Sequence, residues 1–199
     1  MTYRVNANTN ALGYRFLNDD NEGLTDNLRC FWPLRSADGP HIDVLGVAPL
    51  SGDTAGWATG KLGVGTVEGI ANASAQHVDF VVAGWLYADA VGNAEVPIAH
   101  YNAVTPERAW VLYTNASNKL QFYVSSNGST LSNVESTGTM SATTWHFFVI
   151  YHDSVADEIG VSLDNSAFDT TSFGIATRIF QSTHSVRVRA AERAISLAG

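Results

Sequence analysis

The run Lys119-Leu120-Gln121-Phe122-Tyr123-Val124-Ser125 decides the fold class. Leu120, Phe122 and Val124 alternate with Lys119, Gln121, Tyr123 and Ser125, the period-two pattern of a strand with one dry face. Ile159, Val161 and Leu163 repeat it against Gly160, Ser162 and Asp164, as do Leu28, Cys30, Trp32 and Leu34 against Arg29, Phe31, Pro33 and Arg35. A helical i, i+3, i+4, i+7 apolar pattern is sustained nowhere, so the chain reads as all-β. Two further runs, Phe80-Val81-Val82-Ala83-Gly84-Trp85-Leu86-Tyr87 and Trp145-His146-Phe147-Phe148-Val149-Ile150-Tyr151, are apolar at both parities. They are predicted to be central strands covered from two sides.

Between the strands lie Asn115-Ala116-Ser117-Asn118, Ser125-Ser126-Asn127-Gly128-Ser129, Asp153-Ser154-Val155-Ala156-Asp157 and Asp164-Asn165-Ser166. Their residues favour turns because Asn, Asp and Ser bond their own backbone and Gly accepts positive φ. The spacing is that of an antiparallel sandwich built from hairpins. Residues 1–23 are rich in Asn and carry no sustained pattern, and they read as an arm or adaptor ahead of one domain over residues 24–199.

Composition narrows the function. The 199 residues hold 11 basic and 19 acidic side chains, a net charge of −8, which opposes nucleic acid because phosphate binding depends on Lys and Arg. Charged residues are only 15% of the chain and apolar ones 45%, so core material is ample and the polar surface is largely neutral. The single cysteine, Cys30, has no intramolecular disulfide partner, and no Cys/His spacing matches a structural zinc site. The longest apolar run, Phe80 to Ala88, is too short for a membrane-spanning helix, and MTYRVNANTN lacks the apolar core of a secretion signal. Membrane insertion is not expected, and synthesis in the cytoplasm is.

The order of Cys30-Phe31-Trp32-Pro33-Leu34, Gly60-Lys61-Leu62-Gly63, Asp79 to Leu86, Thr144 to Asp153 and Ile159 to Asn165 resembles a known family. It is similar to the laminin G-like jelly roll of the concanavalin A-like lectin and glucanase superfamily, in the version common in phage and environmental sequences. The resemblance implies an antiparallel two-sheet jelly-roll sandwich, with six or so strands in each sheet. It also implies that the strands around Trp85 and Trp145 lie inside, which makes Phe80, Trp85, Trp145 and Phe147 core residues rather than sugar platforms. The chain departs from the family at its end. His184-Ser185-Val186-Arg187-Val188-Arg189 and the residues after it do not match the usual closing strand. The expectation is a sandwich lacking that strand, with an open edge that invites residues 1–23 or a partner subunit to pair there.

Catalytic signatures are absent from the sequence. The superfamily's glucanases present Glu-x-Asp-x-x-Glu on one strand, placing two carboxylates about 5 Å apart, and no such motif occurs here. No Gly-x-Ser-x-Gly occurs either, and the six histidines are dispersed. The chain is therefore expected not to be an enzyme. Its Asp-rich loops suit calcium better than zinc, with Asp153 and Asp157 bracketing one hairpin as candidate ligands; turn residues bonding their own backbone explain the same pattern, and no cofactor is required. For sugar binding, His100, Tyr101, Asn102 and Asn115 are the candidates, on the expectation that they approach one rim and join a ring-stacking face to hydroxyl partners. The expected function is a non-catalytic jelly-roll module of a phage virion, in a tail, fibre or capsid decoration. It would contact itself or other virion proteins through the open edge or the arm, and glycans at its surface. The alternative is a stand-alone carbohydrate-binding, lectin-like protein; a glycoside-active enzyme ranks behind both.

Overall fold

In the computed structural model the described residues are 50–53, 65–69, 79–103, 106–173, 178–183 and 186–190. They form eleven strands: β1 (Leu50–Asp53), β2 (Gly65–Gly69), β3 (Phe80–Tyr87), β4 (Glu95–Tyr101), β5 (Arg108–Thr114), β6 (Leu120–Val124), β7 (Ser132–Glu135), β8 (Trp145–Asp153), β9 (Glu158–Leu163), β10 (Asp169–Ser172) and β11 (Arg187–Ala190). A seven-stranded sheet runs β1-β2-β11-β4-β5-β6-β7 and a four-stranded sheet runs β10-β9-β8-β3. Every pairing between strands is antiparallel. The expected all-β, two-sheet sandwich is what the chain adopts, though the described strands divide seven to four rather than evenly.

The alternation read from the sequence places the core. Leu120, Phe122 and Val124 of β6 point inward with Trp110 and Leu112 of β5, meeting Phe148 and Ile150 of β8 and Ile159, Val161 and Leu163 of β9 from the facing sheet. Phe80 joins them, 5.5 Å from the ring of Trp110 and edge-on to Phe122 at 6.2 Å. Burying side chains of this size contributes about 1.5–3 kcal/mol each, the main force holding the sheets together. The two sheets are also tied at one border, where Asp169 of β10 accepts from both the amide and the hydroxyl of Thr137, just beyond β7.

The turns form where their residues allow. Asn118, Asp164 and Asn165 adopt φ of 64°, 53° and 60°, a conformation that Asn and Asp tolerate better than most side chains. Asn115 Oδ1 accepts the amides of Ser117 and Lys119 and closes the β5–β6 hairpin. Asn127 Oδ1 does the same for Ser129 and Thr130 after β6.

Two expectations are corrected. β3 and β8 are not covered from two sides: β3 borders the four-stranded sheet among the described residues, and only one parity of each strand enters the core. Trp85 and Trp145 are 62% and 43% exposed, so they are surface residues, and Phe147 packs beside Trp85 on the same outer face. Phe80 alone of the four aromatics points into the core. The second correction concerns the chain's end. β11 lies between β2 and β4 and pairs with both, so the Arg187-Val188-Arg189 stretch closes the seven-stranded sheet instead of leaving its neighbours' edges open. Residues 1–23, the Cys30 strand, Gly60–Gly63 and the residues after Ala190 lie outside the described residues, and with them the expected arm and its boundary.

Candidate functional site

The outward positions of β4, β5 and β6 build a second, smaller apolar group on the far side of the seven-stranded sheet. Val96, Ala99 and Val111 form its floor, and Tyr101, Tyr113 and Tyr123 pack against them, half-buried. Register makes this grouping: Ala99 pairs with Val111 and Val111 with Tyr123, while Tyr113 pairs with Gln121 and Gln121 with Glu135. Directly paired residues share a face, so the two rows lie side by side across four strands. The rings of Tyr113 and Tyr123 meet edge to face at 6.2 Å.

A hydrogen-bond chain edges the tyrosines. Tyr123 donates its hydroxyl to Gln121 Oε1 at 3.0 Å, and Gln121 Nε2 donates to Glu135 Oε2 at 2.8 Å. Asn115 Nδ2 donates to the same oxygen at 2.8 Å, and Lys119 Nζ to Glu135 Oε1 at 2.9 Å. The Lys119 ammonium, followed by the Gln121 and Asn115 amides, outweighs partial desolvation and holds the Glu135 carboxyl below its ordinary range. Burial pushes the Tyr101 phenol up, opposed by Arg108, and pushes Tyr123 up with help from the neighbouring Tyr113, Glu135 and Tyr101. At neutral pH the Tyr101 and Tyr123 phenols are thus neutral and the Glu135 carboxylate, bonded to Lys119, is ionised. Tyr123, Glu135 and Lys119 are oriented by hydrogen-bonded neighbours before any ligand arrives.

The four sugar-binding candidates are not brought together. Tyr101 lies on this face at the Arg108 end of β5, and Asn115 lies beyond the opposite end of the same strand. Asn102 follows β4 in the connection to β5, its amide donating to the Glu107 carbonyl. His100 points the other way: it is 1% exposed, inside the sandwich, with its ring 6.3 Å from Trp110. His100 pairs with Trp110, a core residue, whereas Tyr101 pairs with Arg108 beyond a register shift and packs on the outer face. The residues that complete the site, Tyr113, Lys119, Gln121, Tyr123 and Glu135, were not among the candidates. Their signal was the polar parity of the β6 run, Gln121 and Tyr123 standing opposite the core parity.

Asp153 and Asp157 bracket the β8–β9 hairpin as expected. Asp153 Oδ1 accepts the amides of Val155 and Ala156, both at 2.9 Å, and Asp157, at φ 53°, accepts from Ser172 at 2.9 Å. Next to them Ser154 donates its amide to Asp79 at 2.6 Å, and hydrogen bonding from Ser154 keeps the Asp79 carboxyl below its usual range. These carboxylates hold the turn. No group of three or more His, Cys, Asp or Glu suited to a metal ion occurs among the described residues.

His146 is a hydrogen-bonded core histidine. Its Nδ1 lies 2.6 Å from Asp164 Oδ2, and its Nε2 lies 2.9 Å from the Ser141 amide and 3.2 Å from the Ser141 carbonyl. Desolvation would raise Asp164, yet the bonds from His146 and the Phe147 amide bring its carboxyl below the ordinary value.

No family model matches this chain, and no curated protein matches its sequence. Solved structures do. The botulinum neurotoxin serotype D binding domain superposes with a TM-score of 0.57 at 11% identity, covering 77% of this chain and 42% of that one. The serotype G binding domain gives 0.52 at 11% identity over 74% and 40%. Mouse laminin α1 domains LG4-5 give 0.45 at 16% identity over 61% and 31%. The chain spans less than two thirds of the length of each of these structures. The fold is the concanavalin A-like jelly-roll sandwich that the sequence resembles.

Proposed function

We propose that this chain is a non-catalytic, lectin-like carbohydrate-binding module, and that it binds through the tyrosine face of the seven-stranded sheet. The observation that carries this reading is the pairing of a half-buried tyrosine cluster with the Tyr123–Gln121–Glu135–Lys119 chain. A sugar presents an apolar ring face and a rim of hydroxyls, and the surface offers aromatic edges and oriented donors and acceptors at the matching places. Glu135, held ionised by Lys119, Gln121 and Asn115, is suited to accept from a sugar hydroxyl. The neurotoxin structures of similar fold are binding domains by name, which is in keeping with a fold used for contact.

A glycan array followed by titration calorimetry tests it. Tyr123→Ala and Gln121→Ala are expected to weaken the strongest response at least tenfold with unchanged far-ultraviolet circular dichroism. Binding that survives both substitutions overturns the reading, as does an array without any response.

A second reading, a phage virion component that works by assembly, is favoured by β3. Its eight residues carry no charge and no proline, and it borders its sheet among the described residues, so it lacks the usual protection against strand pairing. Light scattering after size exclusion separates the readings. A discrete oligomer supports assembly, and a monomer that responds on the array supports the lectin.

A further inference from the structure

The outer face of the four-stranded sheet carries a different surface. β3 and β8 set Val81 opposite Tyr151, Ala83 opposite Val149, Trp85 opposite Phe147 and Tyr87 opposite Trp145. Val81 is 69% exposed, Trp85 62% and Trp145 43%. The rings pair across the strands, Trp85 with Phe147 and Tyr87 with Trp145, each pair with centroids 5.2 Å apart and planes tilted by 53° and 55°. None of these outward positions is charged, and acidic residues stand at both ends of the strip: Asp79, Asp153 and Glu158 at one, Asp89 and Asp164 at the other.

This charge pattern selects the occupant. Acidic ends on a chain of net charge −8 repel polyanions, acidic glycans and a second copy of the chain, whose own acidic ends would meet them in either orientation. A neutral partner incurs no such repulsion. Each exposed indole combines an apolar ring face with one N–H donor, the same pairing of apolar face and polar rim that a pyranose ring presents. Successive outward residues on one strand stand about 6.6 Å apart, so the strip offers repeated contacts along a line. We infer that the Trp85–Trp145 strip is a second carbohydrate site, a platform on which an uncharged polysaccharide chain lies with its ring faces against the two indoles. It is independent of the tyrosine face and stands whether or not that face binds.

Depletion of the full chain from solution by suspended microcrystalline cellulose, chitin or starch granules tests the platform. Wild type is expected to partition onto at least one of these solids. Trp85→Ala with Trp145→Ala is expected to lower the partition coefficient at least tenfold, Trp85→Ala alone to lower it less, and Trp85→Phe to keep most of the binding that Trp85→Ala loses. Both indoles are exposed, so the fold should survive, with circular dichroism as the check. Soluble oligosaccharides found on the array report on the tyrosine face separately, and their binding should not change in the tryptophan variants. The inference is overturned if none of the three solids depletes the protein, or if the double variant partitions like wild type. It is also overturned if Trp85→Ala converts an oligomer to a monomer, which would assign the strip to a protein partner.

Discussion

On the far side of the seven-stranded sheet the outward positions of β5, β6 and β7 carry Tyr113, Gln121, Tyr123 and Glu135, and Tyr123, Gln121 and Glu135 are linked by hydrogen bonds on the same face. On the far side of the four-stranded sheet the outward positions of β3 and β8 carry Val81, Trp85, Tyr87, Trp145, Phe147 and Tyr151, and the contacts between them are mainly ring against ring. The backbone geometry is the same antiparallel ladder in both. What differs is how each face meets water: one is organised by a carboxylate that gathers three donors, the other leaves apolar rings exposed. A sandwich buries only one face of each sheet, so the chemistry of the outer faces is open to function.

The largest expected effect breaks the apolar face from beneath. Gly160 of β9 lies under the ring of Tyr151, and a Cβ there would stand 2.1 Å from Tyr151 Cε1. Gly160→Val should therefore displace Tyr151, break its hydrogen bond to Glu158, and cost about 1–3 kcal/mol in urea melts. The polar face, on the other sheet, should keep its ligand response in the folded fraction.

Next in size is the tie between the sheets. Asp169→Ala removes the bonds from the Thr137 amide and hydroxyl at 2.6 and 2.5 Å. The site is partly exposed, so the loss should be about 1 kcal/mol in the same melts. Both faces should be affected equally, which distinguishes a shared support from a local one.

A smaller effect belongs to the polar face alone. The Glu135 carboxyl is lowered from its ordinary value of 4.5, so its contribution to stability is complete above that value and falls away as pH drops through the folded-state pKa. Stability measured from pH 6 downward should decline, and Glu135→Gln should remove that share of the decline while leaving the slope from Asp79 and Asp164, also lowered, in place.

The smallest effect marks the apolar face at high pH. Burial, then the bond to Glu158, pushes the Tyr151 phenol from 10.0 up to about 12. The folded state thus keeps this proton where the unfolded chain has lost it, so the stability from Tyr151 is present below pH 10 and lost between 10 and 12. Phenolate absorbance should show late-titrating tyrosines, with Tyr101 and Tyr123 among them, and Tyr151→Phe should remove one titrating at about 12.

Local readings held where they rested on pattern and turn chemistry. The parity of β6 and β9 placed Leu120, Phe122, Val124, Ile159, Val161 and Leu163 in the core, and the Asn and Asp turns close with positive φ where their side chains permit it. Readings that needed a neighbouring strand did not follow. An apolar run at both parities is compatible with a strand covered twice or once, and β3 and β8 are covered once. His100 and Tyr101 both carry groups suited to a sugar, yet His100 pairs with the core residue Trp110 and Tyr101 with Arg108 across a register shift, and the two side chains part to opposite faces.

By itself the sequence determined an all-β chain, its turns, and which side chains of each strand stand together, because those depend on a repeat of two residues and on local backbone preference. The tertiary structure decided which parity of β3 and β8 meets the core, that β11 enters between β2 and β4, and that Asn115, Lys119, Gln121 and Glu135 converge. Those outcomes depend on register between strands distant in the chain, and no periodicity within one strand encodes its partner.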